Sequence, residues 1–286
     1  MTPQSEEIYI LRRDGTESKR LDKQHEFIQQ YTKPLFEELI PPGEIFAIAD
    51  IGTGTGIWLH DVAKMLRQQY PTAQPRRYHG FDISADQFPI TADDEFKFTV
   101  HNVLTPFPAE EHGRYDLVHV RFLLLALAKD QYQTALSNLT SLLKPGGYLQ
   151  WEEFDNRGWT ATPHTGPPVL FEICRIMIAG IAPTGISLSA TETVLEEVTK
   201  AKFDDTTITY HSPIGEPQLQ GMALDWLRAA ASVMVSRSLL RTGEESSDAD
   251  AVRRAETLLD GCEVECPEWA LEVCRVGRIS GRKALL

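Results

Sequence analysis

An α/β fold, with a mostly parallel sheet and a helical cap, follows from three features of the sequence. Short apolar runs alternate with helix-like stretches as far as Phe154, three glycines crowd the turn from Gly52 to Gly56, and the alternation stops after Asp155. Continuous apolar runs suit strands that are buried on both faces of a parallel sheet. Their alternation with helices implies βα units with right-handed crossovers. The chain then divides into an N-terminal helical segment (1–44), a sheet core (45–155) and a part (156–286) that caps the core and completes its sheet.

The elements follow in order. Asp14 to Tyr31 reads as an amphipathic helix with Leu21, Phe27 and Ile28 on its apolar side, Lys33 to Leu39 continues it, and Pro41-Pro42-Gly43 ends it. Ile45 to Ile51 is an apolar strand, and Trp58 to Tyr70 is a helix. Strands are expected at Arg77–Asp82, Phe96–Val100 and Tyr115–Val120. Lys129 to Leu143 is a helix stopped by Lys144-Pro145-Gly146-Gly147, and Tyr148 to Phe154 is the next strand. Beyond it, Pro167–Ile181, Ala190–Lys202 and Gly221–Leu240 read as helices, and Thr206–Pro213 as a strand. Thr242 to Ala251 reads as a polar loop, and Trp269 to Val276 as the last strand.

Bulk properties exclude several function classes. A formal net charge of -13 repels polyanions, which argues against nucleic acid and acidic membrane surfaces as partners. Met1 to Glu7 is polar and acidic, unlike a secretion signal. The longest apolar run, Phe122 to Ala128, is too short to span a bilayer. A cytoplasmic protein is expected. Cys174, Cys262, Cys266 and Cys274 match no paired zinc spacing, so free thiols are expected, with two disulfides as the alternative, and no metal site. Nothing in the sequence fixes an oligomeric state.

The chemistry centres on Asp50-Ile51-Gly52-Thr53-Gly54-Thr55-Gly56. Glycines there allow a strand to turn sharply into a helix and a ligand to approach the backbone. Dinucleotide enzymes use G-x-G-x-x-G. Here the third glycine comes one residue early and position 57 is Ile57, so that signature is broken. The loop instead resembles motif I of class I S-adenosyl-L-methionine (SAM)-dependent methyltransferases. Tyr78 to Ser84, Phe98 to Val103, Tyr115 to Arg121 and Leu143 to Glu152 resemble the later motifs of that family, in the right order. Glu17 to Gln24 and His25, followed by the glycine loop and Trp58, resemble its fungal secondary-metabolism branch. The resemblance covers roughly residues 9 to 155 and thins beyond.

The resemblance implies a seven-stranded, Rossmann-like, mostly parallel sheet whose last strand is inserted antiparallel. It also implies SAM as cofactor and an oxygen or nitrogen atom of a small molecule as methyl acceptor. The cofactor-binding residues it implies are Asp50, Gly52, Thr53, Gly54, Gly56, Asp82, Ile83, Asn102 and Val103. Asp50 would fix the loop or the ligand's ammonium. Asp82 offers two oxygens to the ribose hydroxyls, although Asp82 or Ser84 could simply cap a following helix. Asn102 matches the position facing adenine, with His101 equally available.

Methyl transfer is an in-line displacement that needs alignment and exclusion of water, and sometimes one general base. His25, on a helix that in this class folds over the cofactor as a lid, is one candidate. Glu152 and Glu153 are others, and strand alternation should turn one of them to the pocket. Arg121 could pair with an acidic acceptor, or with Glu152 or Glu153. His119 reads as a packed, hydrogen-bonded histidine and Trp58 as helix packing. Trp159, Phe171, Ile176, Met177, Met222, Trp226 and Met234 could line an acceptor pocket or belong to the core. Two other functions fit the same motifs: a SAM-binding cyclase or pericyclic enzyme, and a regulatory protein without turnover.

Overall fold

A computed structural model describes residues 15–71, 74–89, 93–155, 168–265 and 268–285. Among these residues seven strands form one sheet: β1 (Ala47–Ile51), β2 (Arg77–Asp82), β3 (Phe96–Val100), β4 (Tyr115–Arg121), β5 (Leu143–Phe154), β6 (Asp204–His211) and β7 (Val276–Arg282). They run in the order β3-β2-β1-β4-β5-β7-β6. The first five pair in parallel, and β7 lies antiparallel between β5 and β6. This is the seven-stranded, mostly parallel α/β sheet that the family resemblance implies.

Its continuous apolar strands are explained by cover on both faces. Ile48 and Leu117 pack with Trp58, Leu59, Val62 and Leu66 of α2 (Ile57–Gln69) in one core cluster. Their neighbours Ala49 and Val118 point the other way. They join the larger cluster, which holds Leu136 and Leu139 of α3 (Tyr132–Leu142) and much of the C-terminal half. The remaining helices are α1 (Gly15–Gln29), α4 (Pro168–Ile181), α5 (Ala190–Lys200), α6 (Gln220–Thr242), α7 (Asp248–Glu265) and α8 (Trp269–Glu272). No helix among the described residues is long and apolar enough to cross a membrane.

Several expectations need correction. Lys33 to Leu39 does not continue α1, which ends at Gln29. Pro34 lacks an N–H and restricts the residue before it, and the segment runs as turns over β5 and β7. The polar stretch from Thr242 is a loop only briefly, because α7 begins at Asp248. Trp269 to Val276 is not the last strand. Its apolar residues form α8 and its exit, and the strand follows at Val276–Arg282. The helix expected from Lys129 opens with a 3-10 turn at Lys129–Gln131. Cys174, Cys262 and Cys274 are buried, whereas Cys266 and Trp159 lie outside the described residues.

Candidate active site

The glycine loop leaves the buried end of β1 and enters α2 at Ile57. Gly52 and Thr53 donate their backbone N–H groups to Phe81 O of β2, at 2.8 and 3.1 Å. Gly52, Gly54 and Gly56 have φ of +69°, +54° and +72°, a region that costs other residues steric strain. Asp50 turns inward. One of its oxygens accepts the Thr53 hydroxyl at 2.7 Å, and the other lies 2.7 Å from His119 Nδ1. The His119 ring is fully buried and stacked on Trp58, with centroids 3.5 Å apart. Asp50 therefore fixes the loop to β4 rather than facing a ligand.

A cavity of about 460 Å³ opens at the carboxyl ends of β1 to β5, where α/β sheets hold their ligands. Gly52, Thr53, Gly54, Asp82, Ile83, Asn102 and Val103 line it on the β1–β3 side. Asp50 and Gly56 do not, although both were expected among the contact residues; a Cβ on Gly56 would fall 2.8 Å from the Phe98 ring. Asp82 accepts Gly54 N–H at 2.9 Å and Ser84 N–H at 3.2 Å. No helix starts at 83–89, so Asp82 and Ser84 are not helix caps. Ile83 is 52% exposed, an apolar side chain left without protein cover at the cavity. Asn102 Oδ1 accepts Leu104 N–H at 3.0 Å. His101 lines the cavity too, its ring stacked on Phe107.

On the β4–β5 side the wall is apolar: Phe122 to Leu127, Phe154, and Trp226, Ala230 and Met234 of α6. Trp226 and Met234 were among the expected acceptor residues. Phe171, Ile176, Met177 and Met222 do not line the cavity; Ile176 and Met177 are core, and Met222 lies at the surface. Helix α1 closes one side with Arg20, Leu21 and Gln24. Asp22 of α1 accepts the Thr55 hydroxyl at 2.7 Å, and Gln24 accepts Trp226 Nε1–H at 3.2 Å.

Three expected bases are shut away from the cavity. Neither Glu152 nor Glu153 faces it, because both faces of β5 are covered. Glu152 accepts Arg278 Nε–H at 2.8 Å and Gln150 Nε2–H at 3.0 Å. Burial pushes its pKa up, but Arg278, His119 and Arg121 together hold it well below the usual carboxylate range. Glu153 accepts the N–H groups of Leu123 (3.0 Å), Leu124 (3.2 Å) and Trp151 Nε1 (2.9 Å). Burial pushes its pKa up to about 8 while those three donors pull it down.

His25 is 2% exposed; its Nδ1 accepts from Arg121 Nη2 at 3.0 Å and its Nε2 donates to Asp61 at 2.9 Å. Burial and the Arg121 charge lower its pKa from 6.5 to about 4, against the pull of Asp61. Arg121 alone of these four lines the cavity, and it forms no ion pair with Glu152 or Glu153.

The sequence reading missed Arg20, Gln24, Gln87 and the run from Phe122. The run was visible as an apolar stretch directly after a strand's carboxyl end, which is where a crevice wall belongs. Phe122 takes φ +58°, and such positive-φ residues gather at functional sites.

The His25 shift has a measurable sign. Its folded-state pKa is depressed, so the unfolded chain takes up the proton first as pH falls. Its contribution is whole above 6.5 and lost towards about 4. At pH 5 the loss amounts to about 2 kcal/mol. Urea unfolding at pH 7 and pH 5 should therefore show a smaller acid loss in His25→Gln than in the parent. Equal losses would mean that His25 is not held neutral.

Residues 21–199 match the model of a family described as a methyltransferase domain. The chain is 44% identical over 157 residues to the methyltransferase grgD of a Penicillium species, covering 54% of this chain and 55% of that protein. It is 31% identical over 170 residues to the N-methyltransferase gliN of Aspergillus fumigatus, covering 59% and 58%. The chain thus spans a little over half the length of these curated relatives. A crystal structure of the mycolic acid cyclopropane synthase CmaA1, complexed with SAH and CTAB, shares the fold with a TM-score of 0.50. Its sequence is 14% identical, and the match covers 92% of this chain and 95% of that one.

Proposed function

The chain belongs to the methyltransferase-domain family, and on that premise we propose that it binds SAM and methylates an oxygen or nitrogen atom of a small organic acceptor. The proposed setting is fungal secondary metabolism, in keeping with the branch that the sequence resembles and with its fungal relatives. One observation carries the reading: a single cavity joins the glycine loop, Asp82 and Asn102 to an apolar wall of Phe122, Phe154, Trp226 and Met234.

The residues fit the cofactor. Gly52 and Gly54 expose backbone to the cavity, and a Cβ on either would crowd Leu123 or Leu21, at 2.9 and 3.1 Å. Asp82 can accept hydroxyl protons, Ile83 and Val103 offer apolar surface, and Asn102 offers an amide. When bound, SAM supplies an electrophilic methyl carbon. Helix α1 and residues 122–127 then exclude water, and the apolar wall orients the acceptor. The ionisable residues lining the cavity are Arg20, Asp82, His101 and Arg121. Among the described residues no carboxylate lines the apolar side, which supports alignment rather than proton abstraction by His25, Glu152 or Glu153 as the driver of the step.

Methyl-labelled SAM, incubated with the protein and an extract of small-molecule intermediates, should leave label in a product. A product formed equally fast with S-adenosylhomocysteine (SAH) would overturn methyl transfer. SAH at a hundred times its Kd should add about 2.7 kcal/mol to the unfolding free energy. Asp82→Ala should weaken its binding by about 1–3 kcal/mol; unchanged binding would remove Asp82 from the cofactor site.

A further inference from the structure

Among the described residues, Arg121 is the one cation on the apolar side of the cavity, and none of them gives it a counter-ion. Among the described residues no carboxylate lies within ion-pair distance of its guanidinium. Its single hydrogen bond runs from Nη2 to the neutral His25 at 3.0 Å. Nη1 is cut off from solvent and has no acceptor. Glu152, Asp50 and Asp61 favour its charge only through space, and burial opposes that charge. A guanidinium carries five N–H donors in a planar fork that matches a carboxylate. Burying Nη1 without an acceptor is costly, and an anion paired with the guanidinium would offset that cost.

The neighbouring surface specifies the rest of such a ligand. Phe122 stacks on Phe154 at 4.2 Å, and Phe154 meets Trp226 at 4.7 Å, giving a continuous aromatic wall. The Arg121 guanidinium stands 5.5 Å from the Phe122 ring centroid, beside that wall. His25, held by Asp61 at 2.9 Å, is a positioning residue: its unprotonated Nδ1 fixes one edge of the guanidinium.

We propose that Arg121 is the specificity-determining residue of the acceptor side, and that the acceptor is an apolar, ring-bearing molecule with a carboxylate that pairs with the guanidinium. This inference rests on the acceptor chamber assigned above. The carboxylate anchors the molecule, and the aromatic wall holds its ring.

Calorimetric titration of the whole protein with 2-naphthoate and with 2-naphthamide, each with and without SAH, tests it. The acid should bind about tenfold or more tighter than the amide, in keeping with a hydrogen-bonded charge pair. The net charge of -13 opposes such a preference, so it cannot come from the overall field. Arg121→Gln should abolish the preference, and Arg121→Lys, which keeps the charge without the fork, should retain part of it. Equal binding of acid and amide, no binding of either at millimolar concentration, or a preference that survives in Arg121→Gln would overturn the proposal. The acid–amide comparison uses the parent protein, so it stands even where a variant fails to fold. Failure of SAH to bind, with the acid preference intact, would overturn the methyl-transfer reading alone.

Discussion

Replacing Arg278 by Met should cost the fold about 3–5 kcal/mol, the range for removing one partner of a buried ion pair. Arg278 is 1% exposed and sits in the middle of β7, opposite Glu152 of β5. Its Nε donates to Glu152 at 2.8 Å, Nη1 to Pro34 O at 2.8 Å and Nη2 to Thr32 O at 2.8 Å. One guanidinium thus ties two strands to the segment that follows α1. Methionine fills much of the space but leaves a buried carboxylate and two carbonyls without their donors. The loss should appear as a lower urea midpoint. In Glu152→Gln combined with Arg278→Met, the total loss should be smaller than the sum of the two single losses, because neither charge is then stranded. A single-variant loss under about 1 kcal/mol would show that water or a neighbour replaces the guanidinium.

Gly54→Val should lose SAH binding altogether while the domain stays folded. Gly54 has φ +54°, lines the cavity, and donates its N–H to Asp82 at 2.9 Å. A left-handed branched residue costs about 1–2 kcal/mol, within what a domain of this size tolerates. The new side chain would also enter the space between the loop and Leu21, which lies 3.1 Å from the Cβ position. Gly243→Val separates the two effects. Gly243 has φ +74° and open space around it at the end of α6. It should show the same strain with normal SAH binding. Normal binding by Gly54→Val, measured by calorimetry, would remove the glycine loop from the cofactor site.

The strands β1 to β5 were legible because helices cover both sheet faces, which makes each strand read as an apolar run. The same logic hid β7. All but the last of its residues are buried, yet Arg278 and Ser280 give it a polar look. The apolar stretch before it drew the strand assignment instead, although Trp269, Ala270, Val273 and Cys274 are buried at helical spacing. The glycine loop and the acid that ends β2 stood out through the family resemblance, and both border the cavity. The placement of the acids on β5 was not. Alternation correctly sends Glu152 and Glu153 to opposite faces, but Arg278 covers one face and residues 123–124 the other. Which neighbour covers a side chain is a tertiary fact, set by β7 and by the turn after β4.

The α6 wall has a consequence for how such a chain can diversify. Trp226, Ala230 and Met234 recur every fourth residue and so share one face of a helix. All three lie beyond residue 199, where the family match ends, whereas the glycine loop, Asp82 and Asn102 lie within it. On the proposed reading, exchanging three side chains on one helix would admit a longer, bulkier or more polar guest and leave untouched the strand ends proposed to hold the cofactor. New guests would then be reached by resurfacing a single helix, in steps of one residue, without rebuilding the sheet.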